Sequence, residues 1–204
     1  MALWRVWGRE MQDTSEAGRV LPQRMIVVGD SGSGKSTLAA RLARTIDTPF
    51  IELDALHWKP NWVESSDDEL RPNLEAVAAT ERWIAAGNYG RVSRATLWPR
   101  AEVIVWIDLP LTTVLPRLLR RTYRRWRTHE LLWGTNYEDW RNHLKLWERD
   151  NLFHFMLRNH GPRRRNYAAF MAGNEFTSAR WVRLCTPAEI ESFVGTFGSS
   201  EAAQ

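Results

Sequence analysis

The chain has 204 residues, which is enough for one α/β domain with a full hydrophobic core. Its formal net charge of +4 favours anionic ligands, yet the excess is small for a dedicated nucleic-acid-binding protein. A single cysteine, Cys185, excludes an internal disulfide framework and any multi-cysteine zinc site, and it predicts a reducing, cytoplasmic setting. No apolar run is long enough to span a bilayer, so we expect no membrane partner.

The N-terminal segment is predicted to lie outside the folded domain. Charged side chains interrupt residues 1–22, which is unlike the apolar core of a signal peptide, so we expect a flexible extension. A short amphipathic anchor is the alternative for this segment. The folded domain is predicted over residues 23–197, and residues 198–204 are predicted to form a flexible tail.

A phosphate-binding loop opens the predicted domain. Residues 29–36 read Gly-Asp-Ser-Gly-Ser-Gly-Lys-Ser, which fits the pattern G-x-x-x-x-G-K-[ST] at every fixed position. The apolar, β-branched run at 25–28 predicts a buried strand before the loop. Leu38, Leu42 and Ile46 recur every four residues and predict a helix after it.

The loop chemistry predicts binding of a nucleoside triphosphate, which we take to be ATP, together with Mg²⁺. Glycines let backbone N–H groups turn towards an anion, and the helix N-terminus adds a partial positive charge. Lys35, which we expect to be exposed, reaches the β- and γ-phosphates, and the Ser36 hydroxyl ligates Mg²⁺. The predicted nucleotide contacts are Gly29, Asp30, Ser31, Gly32, Ser33, Gly34, Lys35, Ser36 and Thr37.

Five strands are predicted to alternate with helices. The strands lie at about 24–29, 50–54, 83–86, 103–107 and 180–185. Residues 55–62 are predicted to form a loop, and helices are predicted at about 35–46, from 67, over 111–127, over about 137–157, from 163 and from 187. The alternation predicts a parallel sheet with helices on both faces.

Acidic side chains end two of the predicted strands, at the edge where open α/β sheets bind ligands. Asp54 can orient or deprotonate a hydroxyl or hold a Mg²⁺-bound water, or it can simply cap nearby N–H groups. Asp108 is either a Mg²⁺ ligand or part of a turn before Pro110. Both interpretations stay open for each residue.

Six arginines lie between positions 117 and 127. On a helix, Arg117, Arg120, Arg121 and Arg124 share one face, whereas Arg125 points elsewhere. One interpretation is a lid that neutralises phosphates, because the guanidinium fork matches phosphate oxygens. The other is a solvated basic face.

The order of these elements resembles the adenylate-kinase-like branch of P-loop kinases, and more closely a bacterial group of small P-loop proteins labelled topology modulation proteins. The resemblance spans about residues 24–195 and is carried by residues 29–37, 53–58, 87–89, 98–101, 105–110, the arginines of 117–125, and 149–151. It implies a P-loop NTPase fold with sheet order 2-3-1-4-5 and a helical, arginine-rich lid over about 117–167.

The resemblance also implies ATP-dependent transfer of the γ-phosphoryl group to a small-molecule acceptor. In that activity Lys35 and Asp54 are catalytic, and lid arginines close over the phosphates. The implied lid arginines are Arg120, Arg121 and Arg124, with Arg117 at the adenine. The implied acceptor contacts are Asp54, His57, Trp58, Asn88, Tyr89 and Arg91, although a packed aromatic is an equal interpretation of His57 and Trp58.

One position departs from the pattern of these kinases. They usually carry an acidic residue before the glycine that ends the third strand, and here that position is Ala86. Either Ser36 holds Mg²⁺ with Asp54 or Asp108, or catalysis is weakened. Two other functions stay open, a nucleotide-binding regulatory protein that contacts nucleic acid through its arginines and a plain nucleoside triphosphatase.

Overall fold

The structure is a computed structural model, and it describes residues 6–7, 21–138, 152–173, 175–176 and 178–198. Its strands, in chain order, are β1 (Val6–Trp7), β2 (Arg24–Gly29), β3 (Phe50–Glu52), β4 (Trp58–Lys59), β5 (Val63–Glu64), β6 (Trp83–Ala86), β7 (Val103–Ile107), β8 (Leu131–Leu132), β9 (Asn136–Tyr137) and β10 (Arg180–Leu184). Its helices are α1 (Lys35–Thr45), α2 (Leu53–His57), α3 (Asp67–Ala79), α4 (Gly90–Thr96), α5 (Leu111–Thr128), α6 (Leu152–Ala172) and α7 (Pro187–Gly198), with 3-10 turns at Pro60–Trp62 and Trp98–Arg100.

The central sheet has the order β1-β10-β7-β2-β6-β3. All neighbouring pairs from β10 to β3 are parallel, and only β1 pairs antiparallel, with β10. Counting the five parallel strands in chain order gives 2-3-1-4-5, so the predicted sheet is confirmed. The edge strand β1 was not predicted.

The sheet is covered by helices on both faces because side chains of each strand alternate in direction. From β2, Met25 and Val27 pack in a cluster with α1, α5 and α7. Ile26 and Val28 pack in a second cluster with α3, α4 and α6. Within the described residues, no helix combines the length and the apolar character that crossing a membrane requires.

The chain leaves the sheet earlier than predicted after β3. The predicted strand at 50–54 ends at Glu52, and Leu53–His57 form α2 instead. The predicted loop at 55–62 holds the rest of α2 and the first strand of a β4–β5 hairpin. Leu53 is fully buried and packs directly on Gly87. A short apolar run cannot distinguish a strand from a buried helix start, so this contact decides the local structure.

A single helix, α6, replaces the predicted break between the helix over about 137–157 and the helix from 163. Leu152–Ala172 is continuous, although a proline inside a helix costs about 3 kcal/mol. Side chains on both sides of Pro162 bind the phosphate loop, as shown below, and these contacts hold the helix through the proline. Of the helix predicted over about 137–157, Tyr137 belongs to β9 and residues 139–151 lie outside the described part of the chain.

Gly87 offers a test of how tightly the chain packs where β3 and β6 end. A Cβ atom added there lies 2.6 Å from the Leu53 Cβ, so we expect Gly87→Ala to lower the free energy of unfolding by about 1–3 kcal/mol. The control is Gly195→Ala in α7, where the added Cβ meets nothing within 4 Å. There we expect a gain of about 0.5–1 kcal/mol. Urea denaturation measures both changes, and equal stabilities for the two variants contradict the expectation.

Candidate active site

The phosphate loop joins β2 to α1 with its backbone folded into a cradle. Gly32 and Gly34 have φ values of 83° and 96°, which lie in the left-handed region that glycine adopts without strain. Gly34 is also the residue before the first turn of α1, whose N–H groups have no partner in the helix. Successive N–H groups of this kind form a binding site for an anion.

The loop packs directly against α5. A Cβ atom on Gly32 would lie 2.9 Å from the Val114 carbonyl oxygen and 3.0 Å from the Leu118 Cβ. Only a residue without a side chain allows this approach. The contact fixes the start of the arginine-bearing helix relative to the cradle.

Asp30 ties the loop to α6. Its side chain is 7% exposed, and one carboxylate oxygen accepts a hydrogen bond from Arg163 Nη1 at 2.6 Å. The other oxygen lies within hydrogen-bond distance of His160 Nδ1. A buried carboxylate requires such partners, so Asp30 is held by the protein and does not line the cavity described below.

Asn88 makes a second tie to the loop. Its side-chain oxygen accepts from the Gly29 N–H at 3.1 Å and from the Tyr167 hydroxyl at 3.1 Å. Its amide nitrogen donates to the Gly29 carbonyl at 2.5 Å. Asn88 therefore positions the end of β2, in addition to lining the cavity as predicted.

One cavity of 1420 Å³ brings most of the predicted site residues together. Its lining residues come from several parts of the chain. The loop and α1 contribute residues 31–38 and Arg41, and α7 contributes Pro187, Ile190 and Glu191. The region after β3 contributes Glu52, Asp54, His57, Trp58, Asn61, Trp62 and Glu64. The remaining lining residues are Asn88, Tyr89, Arg117, Arg121, Arg124, Arg125, Trp133, Glu138 and Arg163.

Lys35 is buried rather than exposed, which corrects the expectation from sequence. Its side chain sits in the cavity wall at 7% exposure. Burial lowers the pKa of Lys35 below 10.5, and the nearby charges of Arg121 and Arg163 lower it further. The charges of Asp54 and Glu52 oppose this shift, which shows that both carboxylates act on the lysine.

Asp54 and Tyr89 face each other in the lining of the cavity. The Tyr89 hydroxyl donates to Asp54 Oδ1 at 2.7 Å, and burial beside this carboxylate raises the pKa of Tyr89. The His57 ring packs on Tyr89 at 4.4 Å, and burial lowers the pKa of His57. Asp54 therefore has one oxygen oriented by a permanent donor.

The arginine face of α5 differs from the predicted one. Arg117, Arg121 and Arg124 line the cavity, but the fourth member is Arg125 and not Arg120. The buried stripe of α5 is Val114, Leu118 and Thr122. Arg121 and Arg125 lie three and seven residues after Leu118 and share its side of the helix, whereas Arg120 lies two residues after it and is exposed.

Five predicted site residues do not line the cavity, namely Gly29, Asp30, Arg91, Asp108 and Arg120. The Asp108 carboxylate is 4% exposed and is bound by two arginines, Arg164 at 2.7 Å and Arg183. A carboxylate neutralised in this way is a poor Mg²⁺ ligand, so the predicted metal role of Asp108 has no support from this geometry. Arg91 is exposed and pairs with Asp67 at 3.5 Å, and Arg120 points to solvent.

The residues around Lys35 suit Mg²⁺ held through a nucleotide. Mg²⁺ binds one or two carboxylates plus phosphates and keeps several waters. Ser36, Glu52 and Asp54 offer such oxygens in the cavity. Glu52 is the register partner of Ala86 on the parallel strand β6, so it projects from the same sheet face and supplies a carboxylate there. Within the described residues, no group of three His, Cys, Asp or Glu side chains forms a site without the nucleotide.

Several site residues had no signal in the local sequence. His160 binds Asp30 across 130 positions, and Tyr167 reaches Asn88 across 79. The sequence places Glu52 in a predicted strand and predicts no role for it in the site. The alternation of β3 carried a usable signal, because Phe50 packs with α1 and Glu52 lies two residues later on the same face.

Comparisons with known proteins agree with this fold. Residues 25–108 match the family model of the ATPase family associated with various cellular activities (AAA), which covers less than half of the chain and ends before α5. HslU1, an ATP-dependent protease ATPase subunit of Trypanosoma brucei brucei, is 34% identical over 55 residues, 27% of this chain and 12% of that protein. YqaC of Bacillus subtilis is 26% identical over 117 residues, 55% of this chain and 64% of that protein. The chain thus spans less than two thirds of either relative.

Solved structures show the same fold over a longer range. A shikimate kinase from Acinetobacter baumannii, solved with shikimate, is similar with a TM-score of 0.54 and 14% identity, over 85% of this chain and 89% of that one. A gluconokinase from Sinorhizobium meliloti 1021 gives a TM-score of 0.49 and 21% identity, over 90% and 94%. The match with a TM-score of 0.54, together with the phosphate loop and the sheet order, shows that the chain has an α/β P-loop NTPase fold, as predicted, and an identity of 14% shows the fold alone.

Replacing Lys35 with methionine tests the electrostatic cost of burying its ammonium group. Because burial lowers the pKa of Lys35 below 10.5, the charged form is disfavoured in the folded state at about pH 7. We expect the free energy of unfolding of Lys35→Met to equal or exceed that of the parent at this pH. The difference shrinks as the pH rises from the lowered pKa towards 10.5, because the lysine then becomes neutral in both states.

Urea denaturation across this pH range measures the effect. The control is Lys59→Met, because Lys59 is more exposed and pairs with Glu69 at 2.6 Å near the surface. For Lys59→Met we expect the difference in free energy of unfolding from the parent to stay almost constant across this pH range. A loss of stability in Lys35→Met at neutral pH that exceeds the loss in the control contradicts the burial argument.

Proposed function

We propose that this protein is an ATP-dependent phosphotransferase that transfers the γ-phosphoryl group of Mg·ATP to a hydroxyl group of a small molecule. The observation that carries the proposal is the joint presence of two kinds of chemistry in one cavity. The cavity is lined by an anion-binding loop with Lys35 and also by the Tyr89-oriented carboxylate of Asp54. A plain triphosphatase needs the loop but not a cavity lined with carboxylates and aromatic rings.

The proposed step is a single displacement. The acceptor hydroxyl oxygen attacks the γ-phosphorus, and the bond from that phosphorus to the bridging oxygen of ADP breaks. Asp54 takes the hydroxyl proton, since Tyr89 fixes one of its oxygens and leaves the other available. Lys35 neutralises charge that develops on the transferred group, and ADP leaves with the former bridging oxygen.

Bound Mg²⁺ would neutralise phosphate charge, and Ser36, Glu52 and Asp54 are the residues that we propose to hold it, directly or through water. This assignment replaces the acidic residue that related kinases carry at the position of Ala86. It also leaves Asp108 as a structural partner of arginines.

Arginines of α5 form the part of the site that we propose to act as a lid, together with the β8–β9 hairpin and the start of α6. Arg121 is largely buried, and its pKa is lowered by burial and by Arg125, while Glu138, Asp54 and Glu52 oppose the shift. A guanidinium group in this place is suited to the phosphate charge of the transition state. Closure over the cavity excludes water and limits hydrolysis.

The experiment that tests the proposal measures ADP release from ATP with and without each member of a panel of candidate acceptors, with product identified by mass spectrometry. We expect a phosphorylated acceptor and acceptor-stimulated ADP release. ADP release that no acceptor stimulates supports a plain triphosphatase instead. The cytoplasmic setting inferred from the single cysteine remains a prediction.

Asp54→Asn tests the proposed base. The amide retains an oxygen that accepts from Tyr89, so the fold is preserved while the proton acceptor is lost. We expect acceptor-dependent turnover to fall by about 10²–10⁴-fold, which is more than the affinity for ATP falls. Asp67→Asn is the matched control, because Asp67 lies at the start of α3 outside the cavity. Equal turnover in the two variants rules out Asp54 as the base.

A pair of neighbouring arginines distinguishes a catalytic lid from a nucleic-acid surface. Arg121→Ala should lower turnover by about 10²–10³-fold, because Arg121 lines the cavity, whereas Arg120→Ala should leave turnover unchanged. If the arginines bind nucleic acid instead, exposed Arg120 is a phosphate contact. Its loss would then flatten the salt dependence of DNA binding by about one unit. That result with normal turnover in Arg121→Ala favours the regulatory alternative.

A further inference from the structure

Among the residues that the structure describes, the Glu52 carboxylate receives one hydrogen bond. The indole N–H of Trp133 donates to Glu52 Oε2 at 3.2 Å, across 81 positions of the chain. Both residues line the cavity, where the charge of Glu52 also acts on Lys35. A glutamate side chain loses much rotamer freedom when it is held in one direction, so its carboxylate needs a partner to stay there. Trp133 supplies that partner, and the bond leaves Glu52 Oε1 to a ligand.

Trp133 occupies a turn position that suits other residues better. The Thr135 N–H donates to the Leu132 carbonyl at 3.1 Å, which closes a tight turn between β8 and β9. Its two central residues, Trp133 and Gly134, have φ values of 50° and 77°. Asn-Gly is favoured where both central residues have positive φ, whereas a bulky side chain is strained in this region. A tryptophan that breaks the local preference in this way points to a function for its side chain.

The hairpin that presents Trp133 is fixed to the β4–β5 hairpin. The indole N–H of Trp62 donates to the Tyr137 carbonyl at 2.8 Å, and the Trp62 backbone N–H donates to Asn136 Oδ1 at 2.9 Å. The rings of Trp62 and Trp133 meet edge to face, with centroids 5.6 Å apart. The two indole N–H groups therefore have different acceptors, since one joins the hairpins to each other and the other reaches Glu52.

These contacts assign a role to Trp133, and the assignment rests on the proposed phosphotransferase function. We infer that Trp133 is a positioning residue that acts through Glu52. Its indole N–H fixes the carboxylate that we propose to hold Mg²⁺, directly or through water. Groups that orient a metal-binding carboxylate typically contribute about 10- to 100-fold to metal affinity. The seating of the β8–β9 hairpin is thereby coupled to the completion of the Mg²⁺ site.

Trp133→Phe tests the inference, because it removes the indole N–H and keeps an aromatic ring beside Trp62. Calorimetry with the full chain and the β,γ-imido analogue of ATP measures nucleotide affinity over a series of Mg²⁺ concentrations, without phosphoryl transfer. We expect the Mg²⁺ concentration that gives half-maximal tightening of analogue binding to rise about tenfold, with the affinity in the absence of Mg²⁺ unchanged. An unchanged Mg²⁺ requirement, or an equal loss of affinity without Mg²⁺, overturns the inference.

Trp62→Phe is the matched control. It removes an indole N–H from the same pair of hairpins, but that N–H donates to the Tyr137 carbonyl and not to Glu52. We expect its Mg²⁺ requirement to equal that of the parent. A rise as large as the one in Trp133→Phe would show that packing of the hairpins is responsible, and it would contradict the positioning role.

A double-mutant cycle shows whether Trp133 acts through Glu52. Glu52→Gln alone should raise the Mg²⁺ requirement at least as much as Trp133→Phe does, because it removes the charge that the indole orients. Adding Trp133→Phe to Glu52→Gln should then cause almost no further rise. A similar rise in both backgrounds overturns the inference. The absence of any effect from Glu52→Gln also overturns it, even where Trp133→Phe folds poorly.

The outcome of these measurements is independent of the outcome for the proposed function. A shifted Mg²⁺ requirement in Trp133→Phe, with no phosphorylated product from any acceptor, removes the phosphotransferase proposal and leaves Trp133 as a positioning residue of a nucleotide site. Phosphorylation of an acceptor, with a normal Mg²⁺ requirement in Trp133→Phe, supports the phosphotransferase and overturns the positioning role.

Discussion

The burial of the Asp30 carboxylate is the constraint on which the rest of the site depends. A carboxylate that is 7% exposed needs partners, and both of them, His160 and Arg163, come from α6. Asn88 and Tyr167 add a second link between the end of β2 and the same helix. The phosphate loop is therefore not a local structure that the glycines alone create. Its shape depends on a helix that follows it by more than a hundred residues.

Most of the fold could be predicted because its signals are local. The parallel strands are apolar runs, the loop has a fixed spacing, and Ser66 with Glu69 forms the capping box that its sequence indicates. Where the prediction was wrong, tertiary contacts overrode local preference. Leu53 turns the chain into a helix by packing on Gly87, and α6 continues through Pro162 because side chains before and after it bind the loop. Neither contact has a signature in the residues next to it.

The site could be predicted less completely than the fold, for a related physical reason. Asp54, Asn88 and Tyr89, which follow the carboxyl ends of β3 and β6, reach the cavity as expected, because parallel strands bring those ends to one edge. The predicted arginine face was wrong at Arg120, because the spacing among the arginines does not reveal which side of the helix is buried. Val114, Leu118 and Thr122 decide that side, and they place Arg125 in the cavity instead. Pairing of Asp108 with Arg164 and Arg183 was equally invisible, because the three residues belong to different elements.

Asn136 gives the two hairpins beside the cavity a mechanical property. This buried side chain accepts from the Trp62 backbone N–H at 2.9 Å and donates to the Lys59 carbonyl at 3.0 Å. It therefore links the β4–β5 and β8–β9 hairpins through hydrogen bonds to the backbone, as a neighbouring β-strand would. The Trp62 amide hydrogen can exchange with solvent only after the Asn136 oxygen has moved away. Deuterium uptake at that one amide therefore reports the separation of the two hairpins, and RT multiplied by the logarithm of its protection factor gives the free energy of that separation.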